Sequence, residues 1–181
     1  TLEEVNAQIE KALGHPPDEI FASFEEKPLA CASIGQTHLA TTKEGQRVVV
    51  KVQRPGIGTK MRGDLDLLFL AAKALEASID ELRLIQPSAI VSEFEKSILR
   101  ELSFTTELAS LVTMRRLLDP KRKLVVPEPI PELSSRTVLT MHFFDGKPIR
   151  ELAPRSPEAR AAVTELIHAM CKGVLVEASS T

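Results

Sequence analysis

The sequence predicts an α+β fold, in which a small antiparallel sheet is interrupted by a long helical insertion. Residues 28–53 show the alternation and the turn residues of a β-hairpin. Residues 64–118 are rich in Leu and Ala at helical spacing, and the strand pattern returns at residues 137–141. Strands that come before and after a block of helices indicate helices packed on one side of a mainly antiparallel sheet, as in α+β domains.

The composition of the 181 residues fits a chain that buries a core. Hydrophobic residues make up 43% and charged residues 27%, and the net charge of −2 gives no electrostatic support for nucleic-acid binding. The sequence has no run of about 18 apolar residues, so no membrane-spanning helix is predicted. Cys31 and Cys171 lack the spacing of metal ligands, so we interpret both as reduced thiols in a reducing compartment. One disulfide between them is the alternative.

Helices are predicted at both ends of the chain. Thr1 and Glu4 have the T-x-x-E spacing of a capping box, and Gly14 marks the end of the first helix. A short helical turn is expected around Asp18–Phe24. The last helix begins at Ser156-Pro157-Glu158 and runs to about residue 176. The opening TLEEV has no feature of a signal or transit peptide, and we expect the chain to be part of a longer protein.

Two long helical regions separate the predicted strands. The first covers Asp64–Leu82, and the second opens at Pro87-Ser88 and continues, with or without a break, until Asp119-Pro120. Two further strands are expected at Val125-Val126 and Thr137–Met141. The predicted order is helix, hairpin with a lysine-bearing second strand, two long helices, two strands and a final helix.

Lys51 lies inside the apolar run VVVKV, which forms the second strand of the hairpin. Alternation along a strand turns successive side chains to opposite faces. The lysine face carries Val49, Lys51 and Gln53, and the valine face carries Val48, Val50 and Val52. A lysine in such surroundings needs an acidic or anionic partner, because an unpaired buried charge is costly. The alternative is an ammonium that reaches solvent on its flexible stem.

The stretch PLACASIGQTH at residues 28–38 precedes the lysine strand and holds one glycine, where a phosphate-binding loop commonly has three. By itself this pattern fits either a nucleotide loop in which alanine replaces glycine or a tight hairpin whose small residues pack closely. Together with Lys51, the order of a loop-bearing hairpin, a lysine strand, helix and two strands is that of the smaller lobe of protein kinases.

Four segments resemble, in order and spacing, the aarF/UbiB-type atypical kinase-like proteins. These segments are PLACASIGQTH, VVVKVQRPGI, RELSFTTELA and RTVLTMHFFDG, and the resemblance covers roughly residues 5–170. It implies a protein that binds ATP with Mg²⁺, acts as an atypical kinase or ATPase and supports the biosynthesis of isoprenoid quinone lipids. It also implies quinone-pathway proteins or a lipid membrane surface as partners of the full-length protein.

The family has an alanine-rich loop, A-A-A-S-I-G-Q, in place of the glycine-rich loop of ordinary kinases. Here the loop reads Ala30, Cys31, Ala32, Ser33, Ile34, Gly35 and Gln36, so that Cys31 stands where alanine is commoner. Alanine reaches positive φ less readily than glycine, so a stiffer loop, an altered nucleotide preference and slower phosphoryl transfer are expected. The resemblance makes Lys51 the phosphate-binding lysine.

The segment E-L-S-F-T-T-E resembles the family motif E-x-D-x-x-x-E, which makes Glu107 the partner of Lys51. By the same match, Glu101 belongs to a family-specific regulatory pair that contacts a segment N-terminal to the kinase-like fold. Ser103 stands where the family has Asp, which removes one carboxylate from that pair. Six residues along one helix turn through about 600°, so Glu101 and Glu107 are expected on different faces.

Residues 137–146 resemble the strand and hinge that join the two kinase lobes. Adenine is therefore expected to bind the backbone near Met141, His142 and Phe143. The predicted divisions are an N-terminal helical extension (1–24), a kinase-like N-lobe (25–145), and the hinge with the start of the C-lobe (146–181). The family also suggests a mitochondrion, a plastid or membrane-associated bacterial cytoplasm as the compartment, without a choice among them.

The catalytic loop H-x-D-P-H-P-G-N and the metal-binding D-x-G of the family are not found in these 181 residues. The K-x-G-Q spacing occurs only in the predicted hairpin turn at residues 43–46, and the family's K-x-G-Q element N-terminal to the kinase-like fold is not found. No metal ligands are therefore predicted in this chain, which by itself is expected to be inactive and to bind nucleotide weakly. Two alternatives are kept: a pseudokinase-like regulatory or scaffold module without phosphoryl transfer, and an ordinary α+β interaction domain.

Overall fold

The computed structural model describes residues 1–118 and 124–179, without the side chains of residues 171–179. The helices are α1 (Leu2–Leu13), α2 (Pro17–Ile20), α3 (Ile57–Ser78), α4 (Asp80–Ile85), α5 (Pro87–Glu101), α6 (Phe104–Leu117) and α7 (Pro157–Ser179), with 3-10 turns at Pro131–Leu133 and Ile149–Glu151. The strands are β1 (Phe21–Phe24), β2 (Ala30–Cys31), β3 (Gly35–Thr42), β4 (Arg47–Gln53) and β5 (Val138–His142). The expected helix end at Asp119-Pro120 and the Cys171 thiol lie outside the described residues.

The five strands form one antiparallel sheet in the order β1–β3–β4–β5, and β2 pairs with the first half of β3. β3 and β4 form the predicted hairpin, in which Thr37 is paired with Lys51. Gly45, with φ of 82°, supplies the left-handed residue of the turn between them. β5 pairs with the other side of β4 and places Leu139 beside Lys51. The predicted α+β class and the central hairpin are confirmed.

The valine face of β4 forms the main core together with the first helix. The buried residues of this core are Val5, Ile9, Phe21, Ala40, Val48, Val50, Val52 and Val138. The predicted capping box is present at the start of α1: Thr1 Oγ1 accepts a hydrogen bond from the Glu4 N–H, and Glu4 Oε2 accepts one from the Thr1 amino group. Residues 1–24, interpreted as an extension, therefore share a core with the sheet.

The opposite face of the sheet carries Lys51 and is covered in part by α6, which packs against β5. Farther from the sheet, α3 packs against α5. Glu76 of α3 accepts a hydrogen bond at 2.8 Å from the N–H of Ser88, in the first turn of α5. This carboxylate caps a helix start whose own N-cap residue, Gln86, makes no side-chain hydrogen bond.

The structure corrects the helical turn expected at Asp18–Phe24. Pro17–Ile20 forms a single helical turn, but Phe21–Phe24 is strand β1, with Phe21 paired to Thr42. Phe21 is fully buried in the core under the valine face. Burial of this aromatic side chain stabilises the extended conformation more than local helical preference stabilises a turn.

The strand expected at Val125-Val126 is not formed. Two backbone hydrogen bonds instead join residues 128–130 to the outer side of β5, from Ile130 N–H to Thr140 O at 2.8 Å and from His142 N–H to Glu128 O at 2.9 Å. We name residues 127–131, with the sequence PEPIP, the proline segment. Its three alternating prolines lack N–H groups, so the segment follows β5 without forming a regular ladder.

Both long helical regions differ from their predicted bounds. The first begins at Ile57, directly after Gly56 with φ of 73°, and divides at Ile79 into α3 and α4. Its early start was missed because two glycines in the first two turns weaken the helical signal. The second region divides at Leu102-Ser103 into α5 and α6. No helix in the described part of the chain is both long and apolar enough to span a bilayer.

Candidate nucleotide site

Lys51 projects from β4 toward α6, where its ammonium meets an acidic side chain. Lys51 Nζ donates a hydrogen bond to Glu107 Oε2 at 2.7 Å, so the predicted ion pair is present. The same ammonium lies 4.7 Å from the centre of the Phe104 ring, within the range of a cation–π contact. The Lys51 and Glu107 side chains are 26% and 39% exposed, so a ligand from solvent can reach the ammonium.

Two backbone-directed hydrogen bonds hold the start of α6 beside Lys51. The buried Gln53 side chain donates from Nε2 to the Leu102 carbonyl at 2.7 Å, and the Phe104 N–H donates to the Arg136 carbonyl at 3.0 Å. Gln53 lies two residues beyond Lys51 and thus on the same face of β4. One strand therefore positions both the ammonium and the helix that carries its partner. The sequence placed Gln53 on this face but gave no sign of its contact.

The alanine-rich residues 30–36 form a tight hairpin between β2 and β3. The Ala32 N–H donates to the Gly35 carbonyl at 2.8 Å, which leaves Ser33 and Ile34 as the two residues of the turn. Ala30, Cys31, Ala32 and Ser33 are exposed, Ile34 and Gln36 are half-buried, and Gly35 is buried. The loop therefore presents small side chains and backbone to solvent, next to the strand pair that carries Lys51.

Position 35 requires glycine because there is no room for a Cβ atom, and not because of its backbone angles. A Cβ built at this position would lie 2.6 Å from the Val52 carbonyl oxygen, a distance that real Cβ atoms essentially never show. The Arg54 N–H donates to the Ile34 carbonyl at 2.8 Å and fastens the turn to the end of β4. The single glycine of the loop thus lets the hairpin pack closely on the lysine strand.

Cross-strand pairs arrange the lysine face in rows, because paired residues of antiparallel strands point to the same side. One row consists of Ala30, Thr37, Lys51 and Leu139, and the next consists of Leu39, Val49 and Met141. The three residues of the second row are half-buried and form an apolar surface beside the ammonium. Leu39 was missed by sequence reasoning, because its place depends on the pairing of β3 with β4.

The backbone predicted to bind adenine, at Met141, His142 and Phe143, is partly engaged within the fold. The His142 N–H donates to the Glu128 carbonyl at 2.9 Å, and the Phe143 N–H donates to the Arg47 carbonyl at 3.0 Å. The Arg47 guanidinium also lies 4.6 Å from the centre of the Phe143 ring. A ligand at these residues would therefore have to bond carbonyl oxygens or the backbone beyond Phe143.

Glu101 and Ser103 lie at the break between α5 and α6. Glu101 is the exposed last residue of α5, and the Ser103 Oγ contacts Thr105 Oγ1 at 2.7 Å. The expectation that rotation along one helix separates the two glutamates is wrong, because the chain leaves the helix at Leu102-Ser103. Separate positions for Glu101 and Glu107 are nevertheless observed, since the two residues belong to different helices.

The structure describes the side chains of residues 1–118 and 124–170. Among them, no cluster of three or more His, Cys, Asp or Glu side chains could hold a metal ion. Cys31 is an exposed free thiol. The candidate site thus consists of an ammonium, its carboxylate partner, a small-residue hairpin and an apolar row. This arrangement has the charge to attract phosphate groups and an apolar surface on which a flat ring can lie.

A family model for the ABC1 atypical kinase-like domain matches residues 1–180. The chain belongs to this family. Among curated relatives of this ABC1 chain, the probable protein kinase UbiB of Sodalis glossinidius (strain morsitans) is 36% identical over 147 residues, and that of Pseudomonas entomophila (strain L48) is 39% identical over 147 residues. The resemblance to aarF/UbiB-type atypical kinase-like proteins is confirmed.

Each of these two alignments covers 81% of the ABC1 chain and 27% of the relative, so the chain spans about a quarter of the length of the curated relatives it matches. A solved structure, the complex of Rv3197 with erythromycin from Mycobacterium tuberculosis, has a TM-score of 0.66 and 27% sequence identity to the chain. That match covers 83% of the ABC1 chain and 37% of the other. The predicted kinase-like arrangement of sheet and helices is confirmed.

Proposed function

We propose that the chain is the ATP-binding lobe of an atypical kinase or ATPase that supports isoprenoid quinone biosynthesis. The observation that carries the proposal is the 2.7 Å ion pair between Lys51 and Glu107, on a sheet face beside the alanine-rich hairpin. In kinases a strand lysine contacts the α- and β-phosphates of ATP, and a glutamate on a helix holds that lysine in place. Quinone-pathway proteins and a lipid surface are the proposed partners of the whole protein.

The phosphates would lie between the hairpin and Lys51. The ammonium supplies a positive charge, while Glu107 and the Phe104 ring keep it over the sheet. The exposed residues 30–33 of the hairpin would cover the phosphates from above. Because alanine restricts the backbone more than glycine does, this loop adapts less to the phosphates, and slow phosphoryl transfer follows. Cys31 adds a thiol at the rim of the site.

The adenine ring would rest on the apolar row of Leu39, Val49 and Met141. Since the N–H groups of His142 and Phe143 are used inside the fold, the His142 carbonyl and the backbone after Phe143 are the better hydrogen-bonding groups for its edge. Mg²⁺ bound with ATP would neutralise phosphate charge. Its ligands are expected from outside the described residues, because these hold no suitable carboxylate cluster.

A pseudokinase-like scaffold is the second candidate, because Ser103 occupies the position of the family's Asp and two amides of the hinge are already engaged. Such a module would keep the nucleotide fold and use it to bind partners. Full-length protein that binds ATP in a Lys51-dependent way but releases no phosphate from it, and transfers none, would favour this candidate over the first.

The test is calorimetric titration of ATP with Mg²⁺ into the chain and into its Lys51→Met variant. We expect weak binding by the chain, with a dissociation constant well above 1 μM, since ~1 μM already corresponds to about −8 kcal/mol. Binding should vanish in Lys51→Met and persist in Arg160→Gln, a charge-matched control on α7. Nucleotide affinity that is the same in Lys51→Met and in the wild type would contradict the proposed site.

A further inference from the structure

A second cleft, of about 330 Å³, opens beyond the end of β4, where α1, α3, α5 and the residues before β5 meet. Its charged lining consists of Lys11, Arg54, Arg62 and Arg136. We name it the cationic cleft. Lys51 is not among its described lining residues, so the cleft is distinct from the candidate nucleotide site.

The four cations of the cleft come from four different parts of the chain. Lys11 belongs to α1, Arg54 to the turn after β4, Arg62 to α3, and Arg136 to the segment that leads into β5. None of the described lining residues is acidic, although the chain as a whole has a net charge of −2. Like charges brought together repel one another, so this grouping favours the binding of an anion.

The first turn of α3 adds polar groups to the same cleft. Gly58 and Thr59 line it, and this 22-residue helix has neither a side-chain cap at Gly56 nor an acidic residue in its first turn. N–H groups in the first turn of a helix have no partner within the helix, and the helix dipole places partial positive charge there. These amides add to the attraction of the cations for an anion.

We propose that the cationic cleft binds a phosphate-bearing ligand. Three of its four cations are arginines, whose planar guanidinium groups can donate two parallel hydrogen bonds to phosphate oxygens. Four positive charges exceed the single charge of a carboxylate and match the several charges of a diphosphate. The volume is about ten times the ~30 Å³ occupied by one water molecule in the liquid, which is sufficient for a diphosphate group.

The proposal is tested by calorimetric titration of sodium pyrophosphate into chains that carry Lys51→Met, so that the candidate nucleotide site contributes nothing. Loss of one charge-assisted phosphate contact weakens binding about tenfold. Adding Arg62→Gln should therefore weaken binding by about this factor, and adding Arg62→Gln with Arg136→Gln by considerably more. Adding Arg160→Gln on α7 should leave the affinity unchanged. Circular dichroism checks that each variant is folded.

Flotation with phosphatidylcholine vesicles, with and without phosphatidylglycerol, separates a lipid phosphate from a free one. Pyrophosphate binding that needs Arg62 and Arg136 supports a soluble phosphate ligand. Binding only to the anionic vesicles, with the same dependence on the two arginines, supports a lipid headgroup. The proposal is overturned if the chain binds neither, or if the folded double variant binds as well as its parent.

Discussion

At the scale of single residues, the Lys51 ammonium contacts the Glu107 carboxylate and the Phe104 ring. It nevertheless stays partly open to solvent. Ion pairs in such surroundings contribute about 0–1 kcal/mol to stability, because water screens the charges and ordering two long side chains costs entropy. The Lys51–Glu107 pair is therefore better explained as part of a binding site than as a contribution to the stability of the fold.

We expect Lys51→Met and Glu107→Gln each to change the free energy of unfolding by no more than about 1 kcal/mol, as measured by urea denaturation. Phe104→Ala is the contrasting variant, because Phe104 is only 1% exposed and its loss should cost about 3–5 kcal/mol. A loss of several kcal/mol in Lys51→Met would show that the pair is mainly structural.

Gly35→Ala should destabilise the fold by about 1–3 kcal/mol. The added Cβ would meet the Val52 carbonyl at 2.6 Å, and only a separation of β3 from β4 can relieve the contact. Gly63→Ala is the matched control, because Gly63 lies inside α3 with nothing within 4 Å of the added Cβ. That change should stabilise the chain by up to about 1 kcal/mol. Urea midpoints that shift equally in both variants would contradict the close approach at Gly35.

Strand alternation and family resemblance together placed Lys51 opposite Glu107, and the structure shows that ion pair. Gln53 and Phe104 were not assigned, because their contacts depend on where α5 ends and how α6 is set against the sheet. The hydrogen bonds of His142 and Phe143 were equally unpredictable, since they need the proline segment and β4 on either side of β5. Strand alternation and the family resemblance identified the charged groups of the site, and tertiary packing decided what surrounds them.

At the scale of elements, the carboxylate of Glu76 joins helices α3 and α5. The Glu76 side chain is 14% exposed, accepts the Ser88 N–H bond and pairs with Lys73 at 3.1 Å. Hydrogen bonds from Ser88 and the charge of Lys73 lower the pKa of Glu76 to about 2 from an ordinary value of 4.5. Because the folded pKa is the lower one, the ionised carboxylate stabilises the fold fully above pH 4.5, and this contribution is lost as the pH falls toward 2.

Glu76→Gln should therefore lower the urea midpoint at pH 6, and the gap to the wild type should shrink between pH 4.5 and pH 2. Glu4 and Glu93 also have a lowered pKa, but both proteins contain them, so their effect cancels in the difference. A gap that stays constant down to pH 2 would mean that the shape of the side chain, and not its charge, joins the two helices.

Helices and strands with a strong periodic pattern were predicted as the correct type of element. Segments whose conformation depends on contacts far away in the sequence were not. The capping box and Gly14 bounded α1, and alternation identified β4. Phe21–Phe24 was mistaken for a helical turn, because only the partner strand β3 and the core beneath it favour the extended form. Val125-Val126 has strong strand propensity, but the prolines that follow restrict the backbone to an irregular path.

At the scale of the whole molecule, α7 exposes apolar side chains that recur at helical spacing. Val163, Leu166, Ile167 and Met170 are 43%, 47%, 52% and 61% exposed. In a monomeric sample we expect amide hydrogens of residues 157–170 to exchange much faster than those of β4, because few buried contacts oppose local opening of this helix. Equal protection of the two segments in a verified monomer would show that these side chains are covered and would contradict the expected local opening.

The proline segment also affects what the sheet can pair with outside its own chain. A free edge strand presents unpaired N–H and C=O groups that can recruit a strand from another molecule. At β5 part of this row is already bonded to residues 128–130, and the prolines leave the segment few donors for a further strand. The other edge ends in β1, which has four residues and an irregularity between Phe21 and Ser23. Edge-to-edge aggregation is thereby opposed at both sides of the sheet.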